Sequence, residues 1–205
     1  MIKKILRTAA ILGLVLSLSG VVFAGVDRTG QVTVNSVVQK PPIGPVLDDF
    51  NDGNTQNNWG YNSGPFASAG ASCTDSRVAT SPQEGAYCLK LDYDVSFKDS
   101  YSGYWTLLGG ESLSAYTSLS FWVKGTAGKE LIKIEIKNDS STAAVYVTEV
   151  TTSWQEITIP FQYFSNIKDW TSMKELVFVF ENYQSVINGS PTKGTIYIDK
   201  IYFGN

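Results

Sequence analysis

Acidic and amide side chains cluster near residue 50, and one isolated carboxylate lies close to the other end of the sequence. The first group comprises Asp48, Asp49, Asn51 and Asp52. The second is Asp199, in the middle of the apolar stretch GTIYIDKIYF. If the first and last strands of the fold are neighbours, these oxygens converge, and Ca²⁺ requires about six to eight converging oxygens. The alternative is an ordinary polar turn, with Asp199 facing solvent.

Aromatic side chains beside polar turns form a second group that can bind a ligand. Sugar rings present apolar C–H faces and a rim of hydroxyls, so their binding sites combine aromatic rings with hydrogen-bonding side chains. The aromatic residues that we predict to contact such a ligand are Tyr61, Tyr101, Tyr104, Trp170 and Tyr183. The remaining tryptophans, which we interpret as structural, are Trp59, Trp105, Trp122 and Trp154.

The stretch around Tyr104 requires a choice between two faces of one strand. Tyr104 and Trp105 point to opposite faces if they share a strand, so at most one of them faces a cleft. Tyr101, Gly103, Trp105 and Leu107 form the bulkier apolar set. We therefore predict that Tyr104 faces the cleft.

The composition excludes several kinds of active site. The sequence contains no histidine, so histidine-dependent zinc sites, Ser-His-Asp triads and histidine acid–base catalysis are excluded. Glycoside hydrolysis needs two placed carboxylates, but the Glu-x-Asp-x-x-Glu array of jelly-roll hydrolases is missing. Glu135 lies on an alternating Lys/Glu/Lys face that we interpret as solvated. We therefore predict a protein that is not an enzyme, although a lyase that uses tyrosine with lysine or arginine stays open.

The beginning of the sequence has the composition of a secretory signal peptide. A basic start with Lys3, Lys4 and Arg7 precedes an apolar run that ends in Val-Phe-Ala. This pattern predicts cleavage after Ala24 and a secreted or periplasmic protein; an uncleaved membrane anchor is the alternative. Without residues 1–24 the net charge changes from −3 to −6, which argues against nucleic acid or an anionic membrane as partner.

The sequence has two cysteines, Cys73 and Cys88, whose expected state depends on whether the protein is exported. Two cysteines in an exported chain most simply form a disulfide, which for this loop length contributes about 3 kcal/mol. The alternative is a pair of free, buried thiols.

The distribution of apolar residues predicts the fold class. Residues 25–46 end in a Pro/Gly cluster and are interpreted as a linker or N-terminal arm, and residues 47–205 as one domain. Within that domain apolar and polar residues alternate, as in LIKIEIKN, between frequent Gly/Ser/Asn turns. This pattern predicts an all-β, antiparallel sandwich or barrel. Val177–Phe180 is apolar on both faces, which predicts a central strand that a loop or a partner covers on its second side.

Four segments follow one another in an order typical of a known family. They are LDDFNDG followed by Trp59-Gly60, SGYWTLLGGESLSAYTSLSFWVKGTAG, VTTSWQEITIPFQYF and GTIYIDKIYF. Over residues 46–205 they resemble carbohydrate-binding modules with the galactose-binding-like jelly-roll fold, especially family-11-like modules and the complex I intermediate-associated domain. The resemblance implies a jelly-roll β-sandwich with a structural Ca²⁺ bound by Asp49, Asn51 and Asp199. Asn51 replaces the glutamate usual in such modules, which implies a weaker or empty site.

These observations together predict an exported, non-catalytic carbohydrate-binding protein. It would bind an oligo- or polysaccharide by aromatic stacking and hydrogen bonds, away from the calcium site. The alternative is a protein–protein interaction or assembly domain of the cell envelope with the same fold, which would present a flat apolar patch. A polysaccharide-active enzyme would instead need a deep pocket with two carboxylates of raised pKa.

Overall fold

The structure is a computed structural model that describes residues 22–26, 32–36 and 45–205. The chain divides between Pro42 and Ile43 into two compact units. In the first unit, β1 (Val22–Val26) pairs antiparallel with β2 (Val32–Ser36). Residues 1–21 of the predicted signal peptide lie outside the described residues, and so do residues 27–31 and 37–44 of the predicted arm. The predicted domain boundaries therefore stay predictions.

The regular secondary structure of the second unit is almost entirely β-strand. In chain order they are β3 (Val46–Asp48), β4 (Ser63–Ala67), β5 (Ser72–Val78), β6 (Cys88–Asp94), β7 (Tyr101–Glu111), β8 (Ser118–Gly125), β9 (Glu130–Asn138), β10 (Thr142–Val150), β11 (Gln155–Pro160), β12 (Met173–Glu181) and β13 (Lys193–Gly204). A 3-10 turn covers Phe161–Tyr163, and α1 (Asn182–Asn188) lies between β12 and β13. Within the described part of the chain, no helix has the length and apolar character needed to cross a membrane.

These strands form two antiparallel sheets. The five-stranded sheet has the order β10-β9-β12-β7-β4, and the other has the order β11-β8-β13-β6-β5, with β3 added on β13. This architecture confirms the predicted all-β, antiparallel jelly-roll β-sandwich. β12 lies between β9 and β7, which confirms the prediction that Val177–Phe180 belongs to a central strand.

The core lies between the two sheets because alternate side chains of each strand point to the same side. The ring of Phe121 on β8 contacts Phe178 on β12 edge-on, with centroids 5.2 Å apart. Tyr93 on β6 stacks on Phe180 of β12 at 4.0 Å. β12 is therefore fixed from the side of the core by aromatic contacts to the opposite sheet.

The two ends of the domain lie side by side, as the sequence predicts. β3 pairs antiparallel with β13, and Asp48 lies opposite Ile201. The backbone N–H of Phe203 also donates to the carbonyl oxygen of Pro45 at 2.7 Å. The carboxylates of the DDF segment and of the last strand thus belong to neighbouring strands.

The predicted disulfide between Cys73 and Cys88 is not formed, and both thiols are free. In the β5–β6 hairpin Cys73 pairs with Tyr93 and Cys88 with Val78. The five positions from Cys73 to Val78 correspond to roughly 16 Å along a strand, whereas a disulfide needs Cα atoms within about 7 Å. Burial, with smaller effects of nearby carboxylates, raises the pKa of Cys73 to about 12 and that of Cys88 to about 11, so both thiols stay protonated.

Candidate functional site

A hollow of about 370 Å³ lies on the face of the five-stranded sheet that points away from the core. Alternation along β9 produces this face: Ile132, Ile134 and Ile136 are buried in the core, so the residues between them point outward. The hollow is lined by Phe66, Tyr101, Trp105, Lys133, Glu135, Lys137, Glu175, Val177, Val179 and Glu181. Its volume is within the usual range of ligand sites.

Aromatic side chains of β4 and β7 form one side of this hollow. The Tyr101 side chain is 49% exposed, and its ring lies 6.4 Å from that of Phe66. The indole of Trp105 is partly exposed and lies against Gly64 of the edge strand β4. Val177, opposite Trp105 in the sheet, forms part of the floor. The arrangement offers flat apolar surfaces of the kind on which sugar rings stack.

Charged side chains of β9 and β12 form the other side. The Lys133 ammonium pairs with Glu181 and lies 2.9 Å from Glu135 Oε1. Lys137 Nζ lies 2.7 Å from Glu175 Oε2 and 3.7 Å from Glu135 Oε2. Two cations and three anions therefore alternate along the hollow, and their unused donor and acceptor positions can bind hydroxyls.

Lys133 and Tyr146, which both bind Glu181, have altered pKa values. Burial acts to lower the pKa of Lys133, but its hydrogen bonds with Glu181 and Glu135 outweigh this and raise the pKa above its ordinary value. Burial, together with the hydrogen bond that Tyr146 donates to Glu181 Oε2 at 2.9 Å, raises the pKa of Tyr146. Lys133 is therefore a stable cation, and Tyr146 a neutral donor, at physiological pH.

Two of the five predicted ligand-contacting aromatic residues line the outer face of the sheet or its edge. Tyr101 belongs to the hollow described above. Tyr183, on α1, lines an adjoining hollow of about 330 Å³ that also includes Tyr101 and Glu181. Both predicted positions are therefore open to a ligand.

The prediction that Tyr104 faces the cleft is wrong. Tyr104 is fully buried, and its hydroxyl donates to Ser63 Oγ at 2.6 Å and accepts from Arg77 Nη2 at 2.6 Å. Trp105 faces the hollow instead. The bulkier apolar set was assigned to the core, but two of its members, Tyr101 and Trp105, line the hollow.

The other two predicted residues lie elsewhere. Trp170 stacks on Phe161 with centroids 3.8 Å apart and packs against the core. The Tyr61 hydroxyl donates to Glu111 Oε1 at 2.5 Å, and its ring covers Gly109. These contacts give both rings a structural role within the described domain.

Sequence reasoning missed most of the hollow. Trp105 was assigned to the core, and Glu135 to a solvated face, although its side chain is only 19% exposed. The signals were present: β12 is apolar on both faces, and LIKIEIKN carries alternating charges beside it. An apolar outer face bordered by charged residues marks a surface that another molecule covers.

The residues implied as calcium ligands accept hydrogen bonds from backbone N–H groups. Asp199 Oδ2 accepts from Gln83 at 2.8 Å and from Glu84 at 3.2 Å. Asn51 Oδ1 accepts from Ala86 at 2.5 Å, and Asp49 Oδ1 accepts from Asn51 at 3.2 Å. Within residues 45–205 no three acidic, cysteine or histidine side chains form a group suited to a metal. The oxygens of Asp199 and Asn51 hold the segment 83–87, and calcium binding stays a prediction.

An antiparallel β-sandwich with aromatic and charged side chains on one outer sheet face has the build of a carbohydrate-binding module. The family model described as carbohydrate binding domain 30 matches residues 47–205, so the chain belongs to this family. Residues 47–205 therefore have the carbohydrate-binding role of such a module.

Solved structures share the fold. A family 11 carbohydrate-binding module from Clostridium thermocellum, in complex with a β-1,3-1,4-mixed-linked tetrasaccharide, has a TM-score of 0.61 and 18% identity over 78% of this chain and 95% of that one. A family 30 module of a cellulosomal cellulase from Clostridium thermocellum has a TM-score of 0.54 and 20% identity over 82% and 96%. A search of curated proteins found no match.

Proposed function

We propose that the hollow on the five-stranded sheet, between Trp105 and Lys133, is where this protein binds its carbohydrate. One observation carries the proposal: an exposed aromatic wall faces a row of paired lysines and glutamates across an apolar floor. Sugar rings would stack on Trp105 and Tyr101, while their hydroxyls bond to Lys133 and Glu135. The partner is therefore a chain of sugar units lying along the face of the sheet.

The charges favour a neutral glycan. The hollow contains three glutamates and two lysines, so its net charge is negative. An acidic polysaccharide would bring further carboxylates close to Glu135, Glu175 and Glu181, which costs electrostatic free energy. A mixed-linked β-1,3-1,4-glucan, whose tetrasaccharide is bound by the family 11 module named above, is a suitable neutral probe.

The same pairs support binding without catalysis. A glycoside hydrolase needs one carboxyl group that holds a proton to donate. Lys133 pairs with both Glu135 and Glu181, and Lys137 pairs with Glu175. All three carboxylates of the hollow are thus engaged in ion pairs, in place to accept hydrogen bonds from sugar hydroxyls.

A pair of tryptophan variants tests the proposed site. In Trp105→Ala we expect affinity for mixed-linked glucan to fall at least about tenfold, because stacking and buried apolar area are both lost. The matched control is Trp154→Ala. Trp154 directly precedes β11 of the other sheet, and Lys124 Nζ lies 4.7 Å from its ring centroid, so its loss should leave the hollow intact. Affinity electrophoresis in gels with and without the glucan measures both. Equal retention of Trp105→Ala and the unmodified protein would refute this location.

Export supplies the setting for this function. We propose, from the composition of residues 1–24, that the protein acts outside the cytoplasm. Sequencing of the protein recovered from the periplasm or medium should show Gly25 as the first residue. An envelope-protein partner stays a prediction.

A further inference from the structure

The helix α1 closes one end of the sheet face. It follows β12 directly and is capped at its C-terminus by Gly189, whose φ of 64° is the left-handed conformation that glycine adopts most readily. Of its own residues, Asn182 and Ser185 are buried, whereas Tyr183 is 61% exposed. The helix thus turns Tyr183 outward next to the hollow of the sheet.

The side chain of Asn182 fixes this helix to the segment before β7. Its Nδ2 donates to the carbonyl oxygen of Val95 at 2.8 Å, and its Oδ1 accepts from the N–H of Asp99 at 3.3 Å. The Asn182 backbone N–H also donates to the carbonyl oxygen of Ser100 at 2.9 Å. These three bonds from a buried residue hold α1 and residues 95–100 as two walls with a set spacing.

A second hollow of about 330 Å³ lies between these walls. It is lined by Asp99, Ser100, Tyr101, Tyr146, Glu181, Tyr183 and Gln184. Tyr101 and Glu181 also line the first hollow, so the two are continuous along the sheet. The Tyr146 hydroxyl is held by its hydrogen bond to Glu181.

The side chains around the second hollow suit a sugar ring. Tyr183 and Tyr101 supply exposed aromatic surface, and Asp99 and Gln184 supply donors and acceptors. Resting on the proposed function, we propose that this hollow is an additional subsite, which binds the sugar unit at one end of the neutral chain. α1 then sets how many sugar units contribute to affinity.

The proposal predicts a dependence on chain length that one variant removes. In the unmodified protein, affinity for β-1,3-1,4-linked gluco-oligosaccharides should rise with length until both hollows are filled. In Tyr183→Ala, affinity for the longest oligosaccharides should fall roughly three- to tenfold, while the shortest that bind are unaffected. Isothermal titration calorimetry from disaccharide to hexasaccharide measures the series.

Two further variants separate this role from a general effect on α1. Ile187→Ala removes a side chain of similar exposure, 58%, that does not line the hollow, and should leave the series unchanged. Tyr183→Phe keeps the aromatic ring and should retain most of the increase in affinity with oligosaccharide length. Equal loss at all lengths, or no loss at any, would overturn the subsite but leave the main site intact. The main site and the subsite would both be overturned if the unmodified protein bound none of the glucans and no neutral polysaccharide retarded it in affinity electrophoresis.

Discussion

Lys133 is the side chain on which the polar side of the cleft depends. It pairs with Glu181 on β12 and Glu135 on its own strand, and all three side chains are largely buried. Tyr146 is bound to the same Glu181. The Lys133 ammonium therefore positions two carboxylates directly and the Tyr146 hydroxyl through Glu181. We expect all three groups to contact sugar hydroxyls.

Substitution of this lysine should weaken binding more than it weakens the fold. In Lys133→Met, Glu135 and Glu181 lose their shared cation and repel each other, so we expect the affinity for mixed-linked glucan to fall about tenfold. Lys90→Met is the control, because Lys90 pairs with Asp92 on the other sheet. Calorimetry of both variants compares them; unchanged affinity in Lys133→Met would show that the carboxylates do not need this partner.

At the scale of elements, β7 and β12 form the centre of both the core and the cleft. Gly103 on β7 lies where a Cβ atom would come within 2.0 Å of the Phe178 carbonyl oxygen on β12. It would also lie 3.0 Å from the Phe66 ring in the cleft. The absence of a side chain at this one position allows the two strands to pair and the Phe66 ring to lie close to the sheet.

An alanine at Gly103 should therefore destabilise the sandwich. In Gly103→Ala the new methyl group pushes β7 away from β12, and we expect the free energy of unfolding to fall by roughly 2–4 kcal/mol. Gly64→Ala on the neighbouring strand is the control, because its Cβ would lie at an ordinary 3.5 Å from Trp105. Urea unfolding followed by tryptophan fluorescence gives both values. Similar midpoints for the two variants would contradict the steric argument.

The strands were predictable from the sequence, but the choice between their faces was not. Alternation is a local property, so LIKIEIKN and TIYIDKIYF reveal strands without any tertiary information. For β7 both faces carry large apolar residues, and the packing of the opposite sheet decides which is interior. Tyr104 was consequently assigned to the cleft and Trp105 to the core, the reverse of the structure. α1 has too few residues for a clear helical period, so the helix was not predicted, although Tyr183 itself was predicted as a ligand contact from its position beside polar residues.

At the scale of the whole molecule, a buried carboxylate ties the ends of the domain together. Asp199 is fully buried, and its carboxylate oxygens accept hydrogen bonds from the backbone N–H groups of Gln83, Glu84 and Lys200. Asn51, from the other end, binds the N–H of Ala86. The segment 83–87 therefore joins the turn after β3 to the last strand, β13, where a cation was expected to do so.

Calcium titration distinguishes these two ways of joining the ends. If Ca²⁺ binds Asp49, Asn51 and Asp199, the melting temperature should rise with added Ca²⁺ and fall with a chelator, because a ligand that binds only the folded state stabilises it. Asp199→Ala should abolish this response and lower stability by about 3 kcal/mol by leaving buried N–H groups unpaired. Scanning calorimetry with and without chelator measures both. If the melting temperature does not change with calcium, the hydrogen bonds from backbone N–H groups alone connect the two ends of the domain.

The aromatic contacts beneath the cleft have a consequence for selectivity. Val177 and Val179 alternate along β12 with Phe178 and Phe180, which are locked against the opposite sheet. The backbone below the ligand is thus fixed by core packing, and a large part of the flexibility lost on association is that of the glycan's own glycosidic torsions. Stiff, ribbon-like polysaccharides should accordingly be retained better than coiled ones of the same sugar composition.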